Sequence, residues 1–350
     1  MHKWRYYLYD TSLLPTQEMR EAMYQAEVGD DIYNEDPTMK ELEAESAAMM
    51  GKEAAIFIPS GTMGNLIAML AQTRRGDEVI LEAESHSYYY ETGGMANVGG
   101  LMPRLVQGKW GILDPDEVRK AIRPKNIHHP HPTLLCVENT HNRGGGTITT
   151  PERMDQLRAV CNEYGLKMHL DGARIFNAAV ALEVPINALT RQADTVMFCL
   201  SKGLGAPVGS ILAGNQNTIL EAIRIRKMLG GGMRRNGFLA AAGLVALRTG
   251  INRLVEDHRL AKILASGLNK LDGIRIDLQQ VQTNMVMIEI DPTRMTAVQF
   301  AAEMKKRDIK VSARPPHTIQ MVTHRDLNQD DVQIIVSETE EILKQSGKSL

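Results

Sequence analysis

The sequence predicts an α/β protein with two domains: a large domain on a mainly parallel sheet and a smaller α+β domain at its C-terminal end. Short apolar runs alternate with helical stretches between about residues 53 and 228, a pattern typical of a parallel sheet with helices on both faces. This alternation stops after about residue 255. We therefore assign residues 1–250 to the large domain and residues 251–350 to the small one.

The first long helix of the large domain is predicted from its N-terminal cap. Thr38 and Glu41 have the T-x-x-E spacing of a capping box, so this helix is predicted to run from Thr38 to Gly51. A second helix follows the segment Ser60–Asn65 and ends at Gly76. Apolar residues at helical spacing predict two more, at 151–164 and 217–228.

The predicted strands are short and apolar, and two of them end at a polar side chain. The strand at 166–170 ends at Asp171, and the strand at 195–200 ends at Ser201-Lys202. Three further strands are predicted at 53–59, 79–82 and 134–137. In the small domain we predict strands at 285–290 and 320–323, covered by helices at about 297–306 and 329–345.

Composition excludes several classes of protein. A net charge of -2 with scattered basic residues argues against nucleic-acid binding, and no apolar stretch approaches the roughly 20 residues needed to span a membrane. The three cysteines have no metal-ligand spacing, and an odd, sparse count favours the reducing cytoplasm. The run His128-His129-Pro130-His131 is rich in histidine, but neighbouring residues of a strand point to opposite faces, so we expect no metal site.

The segment Ser60–Asn65 is a candidate phosphate-binding loop. Its glycines allow close backbone approach, and it leads into a helix whose first N–H groups and dipole would hold a dianionic phosphate. Taken alone, the pattern fits a plain helix N-cap equally well.

Asp171 and Lys202 are the second and third candidates. A carboxylate at a strand end is often a cap or turn residue, but it can also keep a pyridine nitrogen protonated and so make the ring an electron sink. Lys202 follows an apolar strand in a loop of small residues, where a Schiff base would remove its charge; a lysine that extends to the surface is the alternative.

The order of these three features is more informative than any one of them. A phosphate loop, then an aspartate, then a lysine about 30 residues later, each following a strand, is the order that a pyridoxal 5'-phosphate (PLP) site needs on a parallel sheet. Arg174, three residues after Asp171, could neutralise a cofactor oxygen or a substrate carboxylate.

In these motifs the chain resembles the low-specificity L-threonine aldolases of the fold-type-I PLP superfamily. The resemblance runs from about Asp10 to the end of the chain. The segments that carry it are Val28–Tyr33, Pro59–Asn65, Glu84–His86, Glu138–Gly145, Asp171–Asn177, Phe198–Ser210 and Lys227–Arg234.

The resemblance implies a role for each matching residue around the cofactor. Lys202 would carry PLP as a Schiff base, Asp171 would pair with the ring nitrogen, and His86 would stack on the ring. Gly61 and Thr62 would bind the phosphate. A homo-oligomer, a dimer of dimers, is also implied, in which Lys227 and Arg234 approach the phosphate from a neighbouring subunit.

The resemblance also implies the residues around the substrate. His128 would lie near the substrate hydroxyl and Arg174 near its carboxylate, while Tyr33 and Tyr90 are candidate pocket walls or, equally, core residues. The N-terminal segment 1–20 would lie near the active site. His86, His128 or a water molecule held by them would be the base, and the sequence does not choose among them.

Two positions depart from the family pattern. Tyr9 stands where the family has a serine that binds the substrate carboxylate, and Gln320 stands where it has an arginine before Val-Thr-His. Because a charge-assisted contact contributes roughly 1.5–3 kcal/mol, their loss predicts weaker binding of a simple amino acid and a less certain choice of the bond that breaks.

Three functions follow from this pattern. The first is a lyase that cleaves the Cα–Cβ bond of L-threonine-type or L-allo-threonine-type β-hydroxy amino acids to glycine and an aldehyde. The second is a related PLP lyase with an altered substrate or reaction, favoured by Tyr9 and Gln320. The third is a PLP-binding oligomer without catalysis, against which the presence of Lys202, Asp171 and His86 argues.

Overall fold

The computed structural model describes the backbone of residues 6–346, which divide into two compact units. The larger unit comprises residues 14–144 and 148–251. The smaller comprises the residues up to 13, residues 145–147 and those from 252 onward.

Thirteen strands and fourteen α-helices form these units in the described chain. The strands are β1 (Tyr6–Tyr7), β2 (Ala54–Ile58), β3 (Glu78–Glu82), β4 (Met102–Val106), β5 (Pro132–Glu138), β6 (Lys167–Asp171), β7 (Thr195–Cys199), β8 (Ser210–Gly214), β9 (Ile274–Arg275), β10 (Met285–Ile290), β11 (Ile309–Lys310), β12 (Ser312–Arg314) and β13 (Thr318–Val322). The helices are α1 (Gln17–Gln25), α2 (Pro37–Met50), α3 (Gly61–Gln72), α4 (His86–Tyr89), α5 (Gly94–Asn97), α6 (Pro115–Ala121), α7 (Pro151–Tyr164), α8 (Ile175–Leu182), α9 (Ile186–Thr190), α10 (Gln216–Met228), α11 (Gly237–Gly250), α12 (Leu254–Leu268), α13 (Ala297–Lys305) and α14 (Gln329–Ser346).

The larger unit is built on a seven-stranded sheet with the order β2-β8-β7-β6-β5-β3-β4. Its neighbours are parallel from β7 through β4, and only β8 runs antiparallel to both of its partners. The inner strands β3 and β7 are buried along their whole length, as expected where helices cover both faces. The mainly parallel sheet predicted from the sequence is therefore confirmed.

Two helix boundaries differ from the prediction. Helix α2 begins at Pro37, and its cap is Asp36, whose Oδ1 accepts the Met39 N–H at 2.9 Å. A proline is favoured in the first turn because it lacks only an N–H that would be unpaired there, so this start overrides the capping box at Thr38. Helix α3 ends at Gln72 rather than Gly76.

Helix α3 packs very closely on β7. A Cβ atom at Gly64 would lie 2.7 Å from Met197 Cγ and 2.6 Å from Ile58 Cδ1, and one at Gly61 would lie 3.0 Å from Cys199 Sγ. Glycine at these positions therefore brings the N-terminus of α3 down to the end of β7.

Strand β2 is an edge of the sheet, and two side chains pair with the outward backbone groups of Phe57. Glu43 Oε1 accepts the Phe57 N–H at 2.8 Å, and Arg226 Nη1 donates to the Phe57 carbonyl oxygen at 2.7 Å. Burial raises the pKa of Glu43 to about 7, against the opposing effects of the Phe57 N–H and Arg226.

The smaller unit holds an antiparallel sheet with the order β12-β13-β10-β9 and a parallel pair of β1 and β11. Leu8 is fully buried there; its N–H donates to the Lys310 carbonyl at 3.0 Å and its carbonyl accepts the Val322 N–H at 3.1 Å. These backbone bonds explain why residues up to 13 belong to the smaller unit, whereas the sequence analysis placed residues 1–250 together.

No single helix within residues 6–346 is long and apolar enough to cross a membrane. Helices α11 and α12, which are bent against each other, would together be long and apolar enough by length and composition alone.

Candidate active site

The candidate residues of the larger unit gather where the parallel strands end. Asp171 ends β6 and pairs in register with Glu138, which ends β5. Lys202 follows the end of β7, and His86 begins α4 soon after β3. Because parallel strands have their carboxyl ends at one edge of the sheet, these side chains share one edge, where ligands of open α/β sheets bind.

Asp171 is buried and held by two donors. Its Oδ2 accepts Asn65 Nδ2 at 2.8 Å, and its Oδ1 accepts the Ala173 N–H at 3.1 Å. An ionised carboxylate has about four acceptor sites, so Asp171 retains the capacity to accept a further hydrogen bond from a protonated ring nitrogen.

His86 is the partly exposed centre of the cluster. Its Nδ1 lies 2.8 Å from Glu91 Oε1, and its side chain is 29% exposed whereas that of Glu91 is 6% exposed. Burial opposes protonation of the ring, but Glu91 and Asp171 together outweigh it and raise the pKa of His86. The Lys202 ammonium acts on the same imidazole in the opposite direction, so the aspartate and the lysine both lie within electrostatic reach of His86.

A second, fully buried cluster supports the His86 backbone. Glu138 Oε2 accepts the His86 N–H at 2.6 Å and lies 3.7 Å from His141 Nε2, which lies 3.0 Å from Glu82 Oε2. His141 Nδ1 accepts the Gly144 N–H at 2.9 Å, so the ring is held with its other nitrogen toward the two carboxylates.

The predicted phosphate loop forms the N-terminus of α3. Ser60 caps this helix by accepting the Met63 N–H at 3.2 Å. A cavity of about 290 Å³ lies beside it and is lined by Ser60, Thr62, Ser87 and Glu91 together with apolar side chains. Helix N-termini present unpaired N–H groups and a positive dipole end, so this position suits a phosphate.

Tyr90 and Arg174 also lie in this part of the larger unit. The Tyr90 ring is 5.4 Å from the His86 ring at a tilt of 47°, and its hydroxyl accepts Arg143 Nη1 at 2.9 Å. Arg143 in turn donates to Glu84 Oε1 at 2.8 Å. Arg174 is buried at the start of α8, three residues after Asp171.

Three further predicted residues lie at the surface of the chain. Lys227 and Arg234 are exposed, and Tyr33 is 68% exposed. Arg234 Nη1 donates to Asp30 Oδ2 at 2.5 Å, and its guanidinium lies 5.8 Å from the Tyr33 ring centroid. Within this chain Arg234 is therefore paired with Asp30 and lies beside Tyr33.

Tyr9 and Gln320 belong to the smaller unit. Gln320 is buried on β13 opposite Ser312, and its Oε1 accepts Arg314 Nη2 at 2.6 Å. Burial raises the pKa of Tyr9, against a hydrogen bond with Ser312. An arginine therefore lies beside Gln320, although it comes from β12.

His128, expected near the substrate hydroxyl, lies apart from the Asp171 cluster of its own chain. It is exposed in a turn before β5, whereas Glu138 ends that strand. A strand of seven residues is about 20 Å long, so His128 lies at the opposite edge of the sheet. The structure leaves His86 as the histidine of this cluster.

Sequence reasoning missed Asn65, Glu91 and the Glu82–His141–Glu138 group. Glu91 follows His86 by five residues, and Glu138 and His141 lie within a segment that was singled out without a role. The spacings of His86 with Glu91 and of Glu138 with His141 were the available signals, because the contacts of Asn65 and Glu82 join residues far apart in the sequence.

Comparisons with known proteins place the chain in a family. The sequence model of the beta-eliminating lyase family matches residues 8–291. Low-specificity L-threonine aldolase 1 of Arabidopsis thaliana is 44% identical over 333 residues, 94% of this chain and 93% of that protein. The low specificity L-threonine aldolase of Escherichia coli K12 is 41% identical over 324 residues, 92% and 94% of the two chains.

A solved structure confirms the fold. The threonine aldolase of Leishmania major is 21% identical and superposes with a TM-score of 0.84 over 97% of this chain and 99% of that one. The fold-type-I architecture and the resemblance inferred from the sequence motifs are both confirmed.

Proposed function

Because the chain belongs to the beta-eliminating lyase family, we propose that it is a PLP-dependent lyase that cleaves the Cα–Cβ bond of β-hydroxy amino acids of the L-threonine and L-allo-threonine type to glycine and an aldehyde. The observation that carries the proposal is that Asp171 and Lys202 follow neighbouring parallel strands at one edge of the sheet, where the ligand atoms of Asp171 and the partly exposed His86 lie within 4.8 Å. Relatives that are 41–44% identical bear the name of this activity.

The residues present fit PLP. Lys202 would hold the cofactor through its amine, Asp171 would keep the ring nitrogen protonated, His86 would stack on the ring, and Gly61 and Thr62 would receive the phosphate at the N-terminus of α3. When bound, the cofactor supplies an electron sink for the pair released by bond cleavage.

His86 is the residue that we propose takes the β-hydroxyl proton. Its Nδ1 faces Glu91, so the Nδ1 proton is held there and Nε2 remains as the acceptor. Glu91 stabilises the cation that forms when Nε2 takes the proton, since its charge raises the pKa of His86. Arg174 is the proposed partner of the substrate carboxylate.

A related lyase with an altered substrate is the second candidate. Tyr9 and Gln320 favour it, because neither offers the charged or small ligand that the family pattern has there. In the smaller unit the Gln320 side chain is itself paired with Arg314.

The proposed assembly is a homo-oligomer, a dimer of dimers, in the cytoplasm. Lys227 and Arg234 are exposed and are the proposed contributions to a neighbouring subunit's phosphate site. The three cysteines are free and buried, as suits a reducing compartment. Sedimentation should give a species heavier than one chain, and a monomer at micromolar concentration would contradict the assembly.

Glycine release tests the proposed reaction. The enzyme with PLP should release glycine from L-threonine, L-allo-threonine or phenylserine, and Lys202→Ala should release none and lose the visible absorbance of covalently held PLP. Lys167→Ala, at an exposed lysine of β6, is the matched control and should behave as the wild type. No glycine from any of the three substrates would refute the activity, and unchanged absorbance in Lys202→Ala would refute the cofactor site.

A further inference from the structure

Asn65 joins the two carboxylates of the site. It lies on α3, is 1% exposed, and its Nδ2 donates to Glu91 Oε1 and to Asp171 Oδ2, both at 2.8 Å. A side-chain amide has two N–H donors, so each carboxylate receives one. Glu91 is the residue that contacts His86, and Asp171 is the proposed partner of the cofactor ring.

A chain of hydrogen bonds behind Asn65 fixes the direction of its amide. His169 Nε2 lies 3.1 Å from Asn65 Oδ1, and His169 Nδ1 lies 2.8 Å from Thr195 Oγ1. Gln72 Nε2 donates to Thr195 Oγ1 at 2.7 Å. Burial lowers the pKa of His169 to about 4, so at neutral pH this ring has a single N–H.

One arrangement of hydrogens pairs the Thr195 hydroxyl, both nitrogens of the His169 ring and the Asn65 oxygen. Gln72 donates to Thr195, the Thr195 hydroxyl donates to His169 Nδ1, and His169 Nε2–H donates to Asn65 Oδ1. The Asn65 amide cannot turn over, because its oxygen would then face two carboxylates and its NH₂ would face the His169 donor.

The two carboxylates need these donors because they are close and buried. The ligand atoms of His86, Glu91 and Asp171 all lie within 4.8 Å of one another. Burial raises the pKa of Glu91, and the Asp171 charge adds to the effect, while His86 and Asn65 act against it. Three other titratable groups interact electrostatically with these side chains: Lys202, His169 and the Cys136 thiol.

We propose that Asn65 is a positioning residue that keeps Glu91 and Asp171 ionised together and thereby couples the proton-accepting His86 to the carboxylate of the cofactor ring. The inference rests on the proposed function and deepens it. Without the amide, one carboxylate is expected to take up a proton, since two like charges at this distance disfavour each other. Protonated Glu91 no longer supports the His86 cation, and protonated Asp171 no longer holds the ring nitrogen.

Asn65→Leu tests this coupling in the PLP-loaded enzyme. It removes both donors at similar volume, and the dissociation constant for PLP should rise about tenfold to a hundredfold, as expected for hydrogen bonds to charged groups. The pKa of His86, followed by the NMR shift of its ring proton in the enzyme without PLP, should fall. The matched control is Asn284→Leu, which replaces a buried amide of the smaller unit whose Nδ2 donates to the Thr323 carbonyl. In this control the dissociation constant for PLP and the pKa of His86 should stay as in the wild type.

A folded Asn65→Leu enzyme with unchanged PLP affinity and unchanged His86 titration would overturn the inference. If Asn65→Leu does not fold, Asn65→Asp provides the test, because an aspartic acid side chain can donate a hydrogen bond once it is protonated. Its loss of PLP affinity should be larger at about pH 8 than at about pH 6; an equal loss at both would overturn the coupling. PLP affinity is measured without glycine release, so the two proposals can fail separately. A wild-type enzyme that binds PLP normally but cleaves no β-hydroxy amino acid would refute the proposed function and leave the role of Asn65 standing.

Discussion

Two histidines at the same edge of the sheet lie among carboxylates but have opposite surroundings. His86 has one close carboxylate, Glu91, and a side chain that is 29% exposed; His141 has two, Glu82 and Glu138, and is 2% exposed. His141 Nδ1 accepts the Gly144 N–H, and its Nε2 is enclosed between Glu82 and Glu138. His86 uses Nδ1 on Glu91 and keeps Nε2 for the site.

The difference shows that a histidine–carboxylate contact does not by itself define a catalytic group. Exchange of a proton with a substrate requires a ring nitrogen that the substrate can reach. His86 meets this condition, whereas His141 is enclosed and contributes to the support of the His86 loop. Glu138 connects the two, because the same oxygen faces His141 Nε2 and accepts the His86 N–H.

Replacement of His86 should separate the two histidines most clearly. His86→Asn should lower kcat for threonine cleavage by about 10²–10⁴-fold, the usual contribution of a general base, with little change in stability because the ring is partly exposed. Steady-state kinetics and urea unfolding measure both quantities. His131→Asn, at an exposed histidine, is the control and should keep the wild-type kcat. A decrease in kcat of less than tenfold in His86→Asn would contradict the proposed difference between His86 and His141.

Replacement of His141 should have the reverse effect. His141→Asn leaves Glu82 and Glu138 facing each other in a buried site, so the free energy of unfolding should fall by about 1–3 kcal/mol. The exposed control His128→Asn should change it by less than about 0.5 kcal/mol. An unfolding midpoint in urea equal to that of the wild type would show that His141 does not have the structural role that distinguishes it from His86.

Glu91→Gln should change the pH dependence of the reaction. Burial disfavours protonated His86, and Glu91 and Asp171 raise its pKa above the ordinary value; removal of the Glu91 charge therefore lowers that pKa. The acid limb of the kcat profile should move to lower pH, and kcat at its plateau should fall about tenfold because the cation loses its partner. An acid limb that stays in place would show that His86 is not the group that titrates.

Glu138→Gln should have the smallest effect of the series. The amide oxygen can still accept the His86 N–H, so the loop keeps its backbone bond, while the charge beside His141 is lost. We expect a decrease in kcat of a few-fold, since a neutral acceptor is about half as strong as a charged one. A decrease as large as that of His86→Asn would mean that Glu138 takes a direct part in the proton transfer.

The sequence predicted the elements that local patterns determine. Helix α7 and strand β10 begin and end where the apolar spacing placed them, and Asp171 and Lys202 follow strands that share one edge. The start of α2 was wrong because Pro37 and Asp36 form a stronger start than the capping box two residues later.

The support of the site could not be predicted in the same way. Asn65 contacts Glu91 and Asp171 at sequence separations of 26 and 106 residues, and only the packed sheet and α3 bring them together. The position of His128 could not be predicted locally either, because the length of β5 separates it from Glu138 within the chain.

The covered edge of β2 has a consequence for handling the protein. An exposed strand edge is a template on which another polypeptide can add, and this is a common route to aggregation. Glu43 and Arg226 already occupy the outward backbone groups of Phe57, so another strand would have to displace both side chains to pair at this residue. Substitution of either side chain is expected to shorten the time for which the purified protein can be stored.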